Sequence, residues 1–245
     1  MSMSLSGRTV LITGGGTGIG AGCALALAEQ GCRVAIAGRR EEPLVETAAR
    51  FQGEPGIVIH TVDVSDREET QSLVEWATKT LGRVDVLLHA AGTNVPKRSM
   101  AECDPADWDK VMQINATGAY NMMYAVLPQM RERQDGLIIN ISSIAGTRAS
   151  ALGGVAYSAS KFAMTALTTC VANEEKDHGI RVTNIYPGEV ETPILDRRPV
   201  PVSAEHRARI LQPKDVAAAV VMIVGLPPRA HVSDLIIKPT TQEFV

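Results

Sequence analysis

With 245 residues, 45% of them hydrophobic and 21% charged, the chain has the size of one large domain or two small ones, and its apolar content excludes a disordered polymer. A formal net charge of -3 supplies no global field for a phosphate backbone or an anionic lipid surface, so neither nucleic acid nor membrane is an expected partner. The opening MSMSLSGRTVLITGG lacks an export pattern, no apolar run approaches the roughly 20 residues of a bilayer span, and Cys23, Cys32, Cys103 and Cys170 show no CxxC spacing. A cytoplasmic protein with reduced thiols is expected, with no metal site.

Short β-branched runs alternate with longer helical stretches from end to end. The first strand is RTVLIT (8–13), followed by a glycine-rich turn and a helix from Ile19 to Gln30 that Gly31 stops. RVAIAG (33–38) is the second, with a helix starting near Pro43, a residue suited to a first helical turn because its missing N–H has no partner there. IVIHTV (57–62) precedes a helix from Asp66 to Leu81 ended by Gly82; DVLLHA (85–90), LIINIS (137–142), IRVTNIY (180–186) and DLIIKP (234–239) complete about seven strands.

Such continuous apolar strands are buried on both faces, which predicts a single α/β domain over residues 1–245: a Rossmann-type, doubly wound parallel sheet with helices on both sides. A strand order reversing beside the first strand places the ligand crevice at the carboxyl ends of the first and fourth strands. After the sixth strand the expected helix is replaced by PGEVETPILDRRPVPVSAEHRARI, and residues 187–212 are expected to form an irregular substrate lid.

TGGGTGIG opens directly into a helix, and Gly14, Gly16, Thr17, Gly18, Ile19 and Gly20 there have the character of a turn whose backbone approaches a pyrophosphate at a helix N-terminus. A tight turn that binds nothing has the same look. Tyr157 and Lys161 stand at i and i+4, on one helix face, where an ammonium favours the phenolate and lowers a tyrosine pKa from about 10. Ser142 and Ser143 end the fifth strand, on the same side as the glycine-rich turn, and Asn115 lies in the long helical segment before it. Singly, each of these is also an ordinary cap, turn or helix residue.

In order and spacing, TGGGTGIG, HAAG (89–92), Asn115, Ser143, Tyr157-x-x-x-Lys161 and PGEVETP (187–193) resemble the short-chain dehydrogenase/reductase family over nearly the whole chain. HAAG departs from the family's NNAG, and the tail LPPRAHVSDLIIKPTTQEFV looks more like the NADP-dependent 3-hydroxy-acid, serine-type branch. The resemblance implies hydride transfer between a nicotinamide and a carbonyl or secondary alcohol. It makes Tyr157 the acid or base, Ser143 the donor to the substrate oxygen, Lys161 the holder of the nicotinamide ribose and Asn115 the anchor of a proton path. Asp63 and Val64 would meet the adenine, Ala91 and Gly92 the adenosine ribose, and Pro187, Gly188, Val190 and Thr192 the carboxamide.

Where NAD enzymes carry an acid at the end of the second strand, this chain has Gly38, Arg39 and Arg40, two cations beside a helix N-terminus; NADP is expected over NAD. Arg148, Arg197 and Arg198 could reach the crevice mouth, which suggests a small 3-hydroxy or 3-oxo acid as substrate. The alternatives are a 3-oxoacyl-carrier reductase and a silent dinucleotide-binding regulator. Met122, Met123, Val126, Phe162, Leu167 and Val171 exceed what one sheet face needs, so a homo-oligomer is expected, a tetramer as is usual in the family or a dimer.

Overall fold

The computed structural model describes residues 5–243. Seven strands form one parallel sheet: β1 (Thr9–Thr13), β2 (Arg33–Gly38), β3 (Val58–Thr61), β4 (Val86–His89), β5 (Gly136–Ile141), β6 (Ile180–Pro187) and β7 (Asp234–Ile237), in the order β3-β2-β1-β4-β5-β6-β7. Every pairing is parallel, and the order reverses between β1 and β4, whose registers run Val10 with Val86 to Thr13 with His89.

Strand alternation divides the core into two layers. Val10, Ile12, Ile36, Val86 and Leu88 face one side, where α1 (Gly18–Glu29) and α8 (Pro213–Val224) supply Leu27, Val216 and Val220. Leu11, Ala35, Leu87, Ile138 and Val182 face the other, against α3 (Arg67–Leu81), α5 (Gly118–Arg133) and α6 (Val155–Glu175). Both faces of the sheet are dry, which is why the strands read as unbroken apolar runs.

Local chemistry sets the helix starts. Asp66 caps α3, its carboxylate accepting the Glu68 and Glu69 amides at 2.8 and 3.0 Å. Asp63, three residues earlier, closes a turn by accepting the Ser65 amide and hydroxyl at 2.9 and 2.6 Å. The helix expected near Pro43 is α2 (Glu41–Ala49), which begins two residues earlier.

Two expectations need correction. The crossover helix after β6 is postponed rather than replaced. The segment 187–212 holds a 3₁₀ turn (Pro193–Arg197) and α7 (Ala204–Arg209), after which the reciprocal Gln212–Asp215 capping box starts α8. The apolar surplus assigned to an oligomer interface is mostly core: Met122, Met123, Val126 and Val171 are buried in the second layer, Leu167 packs against it, and Phe162 alone of the six is exposed. Between α4 (Pro105–Met112) and α5 the chain makes a π-helical turn, Gln113–Thr117, which carries Asn115.

Candidate active site

The carboxyl ends of β1, β4 and β5 open on a cleft of about 990 Å³. The glycine-rich turn forms its floor. Gly14 has φ of +69°, and a Cβ there would lie 2.7 Å from the Ala90 carbonyl carbon; a Cβ on Gly20 would run into the Gly14 carbonyl. Only glycines allow the turn to fold this tightly beneath the end of β4. Thr17, at the N-cap of α1, makes no side-chain cap, and the first turn of the helix holds no acid, so its N–H groups and positive dipole end face the cleft unneutralised. This cradle suits the pyrophosphate of a dinucleotide.

Arg39, Arg40, Asp63 and Val64 line the same cleft farther along, as do Ala91 and Gly92. Burial works to raise the Asp63 pKa, but the two Ser65 bonds and the charge of Arg39 hold this carboxyl below its usual range. Glu41 and Glu42 occupy the first turn of α2 and already complement its dipole. An anion between Arg39 and Arg40 is therefore favoured by their position at the cleft rather than by the dipole.

Ser143, Tyr157 and Lys161 meet in the cleft. Ser143 is an extended residue ending the β5 segment, and its Oγ accepts the Ala145 amide at 3.1 Å. Tyr157 lies in the first turn of α6, and Lys161 stands one turn later, with Nζ 5.7 Å from the Tyr157 ring centre. Lys161 is buried, donates to the Ile141 carbonyl at 2.8 Å, and is pushed down to about 7 by burial. Burial raises the Tyr157 phenol; the pulls in the other direction come from a hydrogen bond with Ser143 and from the charge of Arg98. Lys161 Nζ thus stands against the Tyr157 ring, as the i+4 spacing anticipated, and Arg98 adds a second, more distant positive charge.

Asn115 does not line the cleft. It is fully buried behind the wall, where its Oδ1 accepts the Thr93 amide at 2.8 Å and its Nδ2 donates to the Thr93 carbonyl at 2.9 Å and to Ser160 Oγ at 3.0 Å. His89, which stands where the family carries the first Asn of NNAG, ties β4 to β1 through Nδ1 and Thr13 Oγ1 at 2.9 Å. Burial, then the charge of Lys161, push this imidazole down to about 3.

A profile described as short chain dehydrogenase matches residues 8–200. The chain belongs to the short-chain dehydrogenase/reductase family. An uncharacterized oxidoreductase of Staphylococcus saprophyticus is 35% identical over 243 residues, 97% of this chain and 99% of that protein. The solved closed form of serine dehydrogenase complexed with NADP+ superposes with a TM-score of 0.86 at 29% identity, covering 97% of each chain. A 3-ketoacyl-(acyl-carrier-protein) reductase from Brucella melitensis complexed with NADH gives 0.87 at 26%, covering 96% of this chain and 98% of its own.

In this oxidoreductase the segment after β6 closes one side of the cleft, with Pro187, Gly188, Val190 and Thr192 along the wall. Thr192 is the N-cap of the 3₁₀ turn that follows, without a side-chain cap bond. Arg148, Arg197 and Arg198 also line the cleft. Arg198 pairs with Glu189 at 3.2 Å within the 187–212 segment, while Arg197 Nη1 donates to Thr93 Oγ1 at 2.7 Å and to the Asn94 carbonyl at 3.1 Å, tying that segment to the loop after β4. Arg98 and Glu189 escaped the sequence reading. Glu189 carried a signal, its place within PGEVETP; Arg98 carried none, because its partners lie far along the chain. Among the described residues no cluster of histidine, cysteine or carboxylate groups could hold a metal ion, and no helix is long and apolar enough to cross a membrane.

Proposed function

We propose that the enzyme transfers a hydride between NADP(H) and the carbonyl or secondary-alcohol carbon of a small 3-oxo or 3-hydroxy acid. The observation that carries this reading is the meeting of Ser143, Tyr157 and Lys161 with the glycine-rich turn in one cleft. The dinucleotide would be held by the amino end of α1 and the turn from Gly14 to Gly20, by Asp63 and Val64 at the adenine, by Ala91 and Gly92 at the adenosine ribose, and by Pro187, Gly188, Val190 and Thr192 at the carboxamide. When bound it supplies or accepts the hydride.

The chain's own groups orient the substrate and manage one proton. In reduction Tyr157 Oη gives its proton to the substrate oxygen while Ser143 Oγ donates a hydrogen bond to the same oxygen as negative charge builds; in oxidation the proton returns. Lys161 holds the nicotinamide ribose hydroxyls. Asn115 acts indirectly, by fixing Thr93 and, through Ser160, the helix that carries Tyr157.

Preference for NADP is supported by Gly38, Arg39 and Arg40, which leave no acid at the end of β2 for a ribose 2′-hydroxyl and offer guanidinium groups to a 2′-phosphate. A carrier-bound substrate is less well supported, because Arg198 and Arg207 of the lid are occupied by Glu189, Glu191 and Asp196 instead of forming an open basic surface. We read residues 1–245 as one catalytic domain with 187–212 as its lid, cytoplasmic and homo-oligomeric. The oligomer is now supported by other residues, Trp108, Tyr120, Tyr124 and Phe162, exposed on α4, α5 and α6; sedimentation at the monomer mass would remove it.

Tyr157→Phe tests the central role: turnover should be abolished while dinucleotide affinity stays within a few-fold. Retention of more than about a tenth of the parent kcat, a loss of only ~1.4 kcal/mol, would reject it.

A further inference from the structure

Beside Ser143 and Tyr157 the cleft is rimmed by three loops: the segment after β4, residues 147–154 before α6, and the lid after β6. No ladder holds such segments to one another, so their relative placement depends on side chains that reach between them. Arg98, in the first loop, is such a side chain. It is 7% exposed, and its Nε donates to the Val95 carbonyl of its own loop at 3.0 Å. Nη1 donates to the Leu152 carbonyl of the second loop at 2.8 Å, and Nη2 to the Arg197 carbonyl of the lid at 2.6 Å. A planar fork reaches carbonyls in several directions at once, which a single ammonium does not.

Arg197 makes the return contact. Its Nη1 donates to Thr93 Oγ1 at 2.7 Å and to the Asn94 carbonyl at 3.1 Å, so each arginine grips the loop that carries the other. Two further bonds fasten the second loop to the first: Asn94 Nδ2 to the Gly153 carbonyl at 3.1 Å, and the Val155 amide to the Arg98 carbonyl at 3.0 Å. The fit there is close, since a Cβ on Gly154 would lie 2.4 Å from Arg98 Cβ. The dinucleotide end is fixed by other contacts, the Gly15 amide to the Ala37 carbonyl at 3.2 Å and Thr47 Oγ1 to the Gly16 carbonyl at 3.0 Å.

We infer that Arg98 and Arg197 form a reciprocal clasp that locks these three loops into one frame, and that Arg98 is the positioning residue that fixes the size of the substrate end of the cleft. The inference rests on the reading of this cleft as the site of a small 3-oxo or 3-hydroxy acid. Hydrogen bonds from a charged donor in a buried site are strong, and all three held by Arg98 end on backbone carbonyls, so they fix the course of the chain whatever side chains the loops carry. With the fork removed, the carbonyls of Val95, Leu152 and Arg197 lose their common partner and the loops separate. The cleft then admits longer substrates, while the cofactor end keeps its own supports.

The test combines hydrogen exchange and kinetics on the full-length protein. In Arg98→Met, amide exchange in peptides covering residues 150–154 and 194–198 should quicken about tenfold or more, with β5 unchanged. The preference in kcat/KM for a four-carbon over an eight-carbon 3-hydroxy acid should fall about tenfold, while NADPH affinity by fluorescence titration stays within about threefold. Arg98→Lys keeps the charge but offers one nitrogen to three carbonyls, so it should behave as Arg98→Met does. Arg197→Met removes the return contact from an exposed position and should shift exchange and selectivity the same way, which also covers an Arg98 variant that does not fold. Unchanged exchange in the lid peptides, unchanged selectivity, or parental behaviour of Arg98→Lys would overturn the inference. A parent inactive on both acids would instead remove the substrate reading, and the exchange data would still decide the clasp.

Discussion

Asn115 and Thr93 exchange a pair of hydrogen bonds, Thr93 N–H to Asn115 Oδ1 at 2.8 Å and Asn115 Nδ2 to the Thr93 carbonyl at 2.9 Å. An amide side chain here imitates a backbone pairing across the gap between β4's end loop and the π-helical turn, and its second Nδ2 hydrogen reaches Ser160. Because the site is fully buried, losing the amide strands partners that water cannot reach. Asn115→Leu is expected to lower stability by about 3 kcal/mol in a urea titration and to reduce kcat with it. Asn115→Asp should be comparably harmful, since it sets a carboxylate oxygen against the Thr93 carbonyl; parental stability in either variant would contradict the clamp.

Arg39 acts on Asp63 at the wall of the cleft, so its charge would be shared between this carboxylate and a bound phosphate. A charge-assisted bond to a phosphate contributes ~1.5–3 kcal/mol. Arg39→Ala should therefore cut kcat/KM for NADP by about 10- to 100-fold and leave that for NAD nearly unchanged. A parent enzyme that prefers NAD, or a variant that keeps its NADP preference, would refute the assignment.

His89 is neutral in the fold, with its pKa near 3 against an ordinary 6.5, so between those values the unfolded chain binds the extra proton. Stability from this group is complete above about pH 6.5 and is lost progressively as the pH falls toward 3. At pH 4.5 the loss from this group should reach roughly 2–3 kcal/mol, on top of whatever the carboxylates contribute as they titrate. His89→Asn, able to keep a bond to Thr13, should flatten the curve of melting temperature against pH over this window. The same acid slope in both proteins would show that His89 is not its source.

Arg148 is exposed at the cleft, beyond Ser143. If it orients a carboxylate, Arg148→Ala should raise KM about tenfold for a 3-hydroxy acid and much less for its methyl ester, with kcat little altered. Equal effects on acid and ester, or efficient turnover of neutral ketones by the parent, would remove the acidic substrate class.

What the sequence determined by itself is whatever nearest neighbours along the chain decide. The apolar runs marked all seven strands to within a residue or two of most ends, Gly31 and Gly82 marked helix stops, and the Tyr157–Lys161 spacing placed two side chains on one helix face. The reversal of strand order at β1 and β4 followed from the βα pattern and the handedness of its crossovers, and with it the side of the sheet on which the cleft opens.

Only the tertiary structure decided how Arg98 is held at the cleft wall. The Leu152 and Arg197 carbonyls that hold Arg98 lie 54 and 99 residues away along the chain, and a carbonyl is the same in every residue, so no side-chain pattern announces them. The fate of the apolar positions in α5 and α6 was likewise a matter of packing. A helix spiral shows that Met122, Met123 and Val126 share an apolar region, but whether the sheet or a second subunit covers it depends on how closely the helix lies to β4 and β5. The late start of α8 has the same origin: the chain after β6 first closes the cleft, tied by Arg198 to Glu189 and by Arg207 to Glu191 and Asp196, and turns helical only once Gln212 and Asp215 cap its end. Those ion pairs join residues that are neighbours in space through a fold already formed.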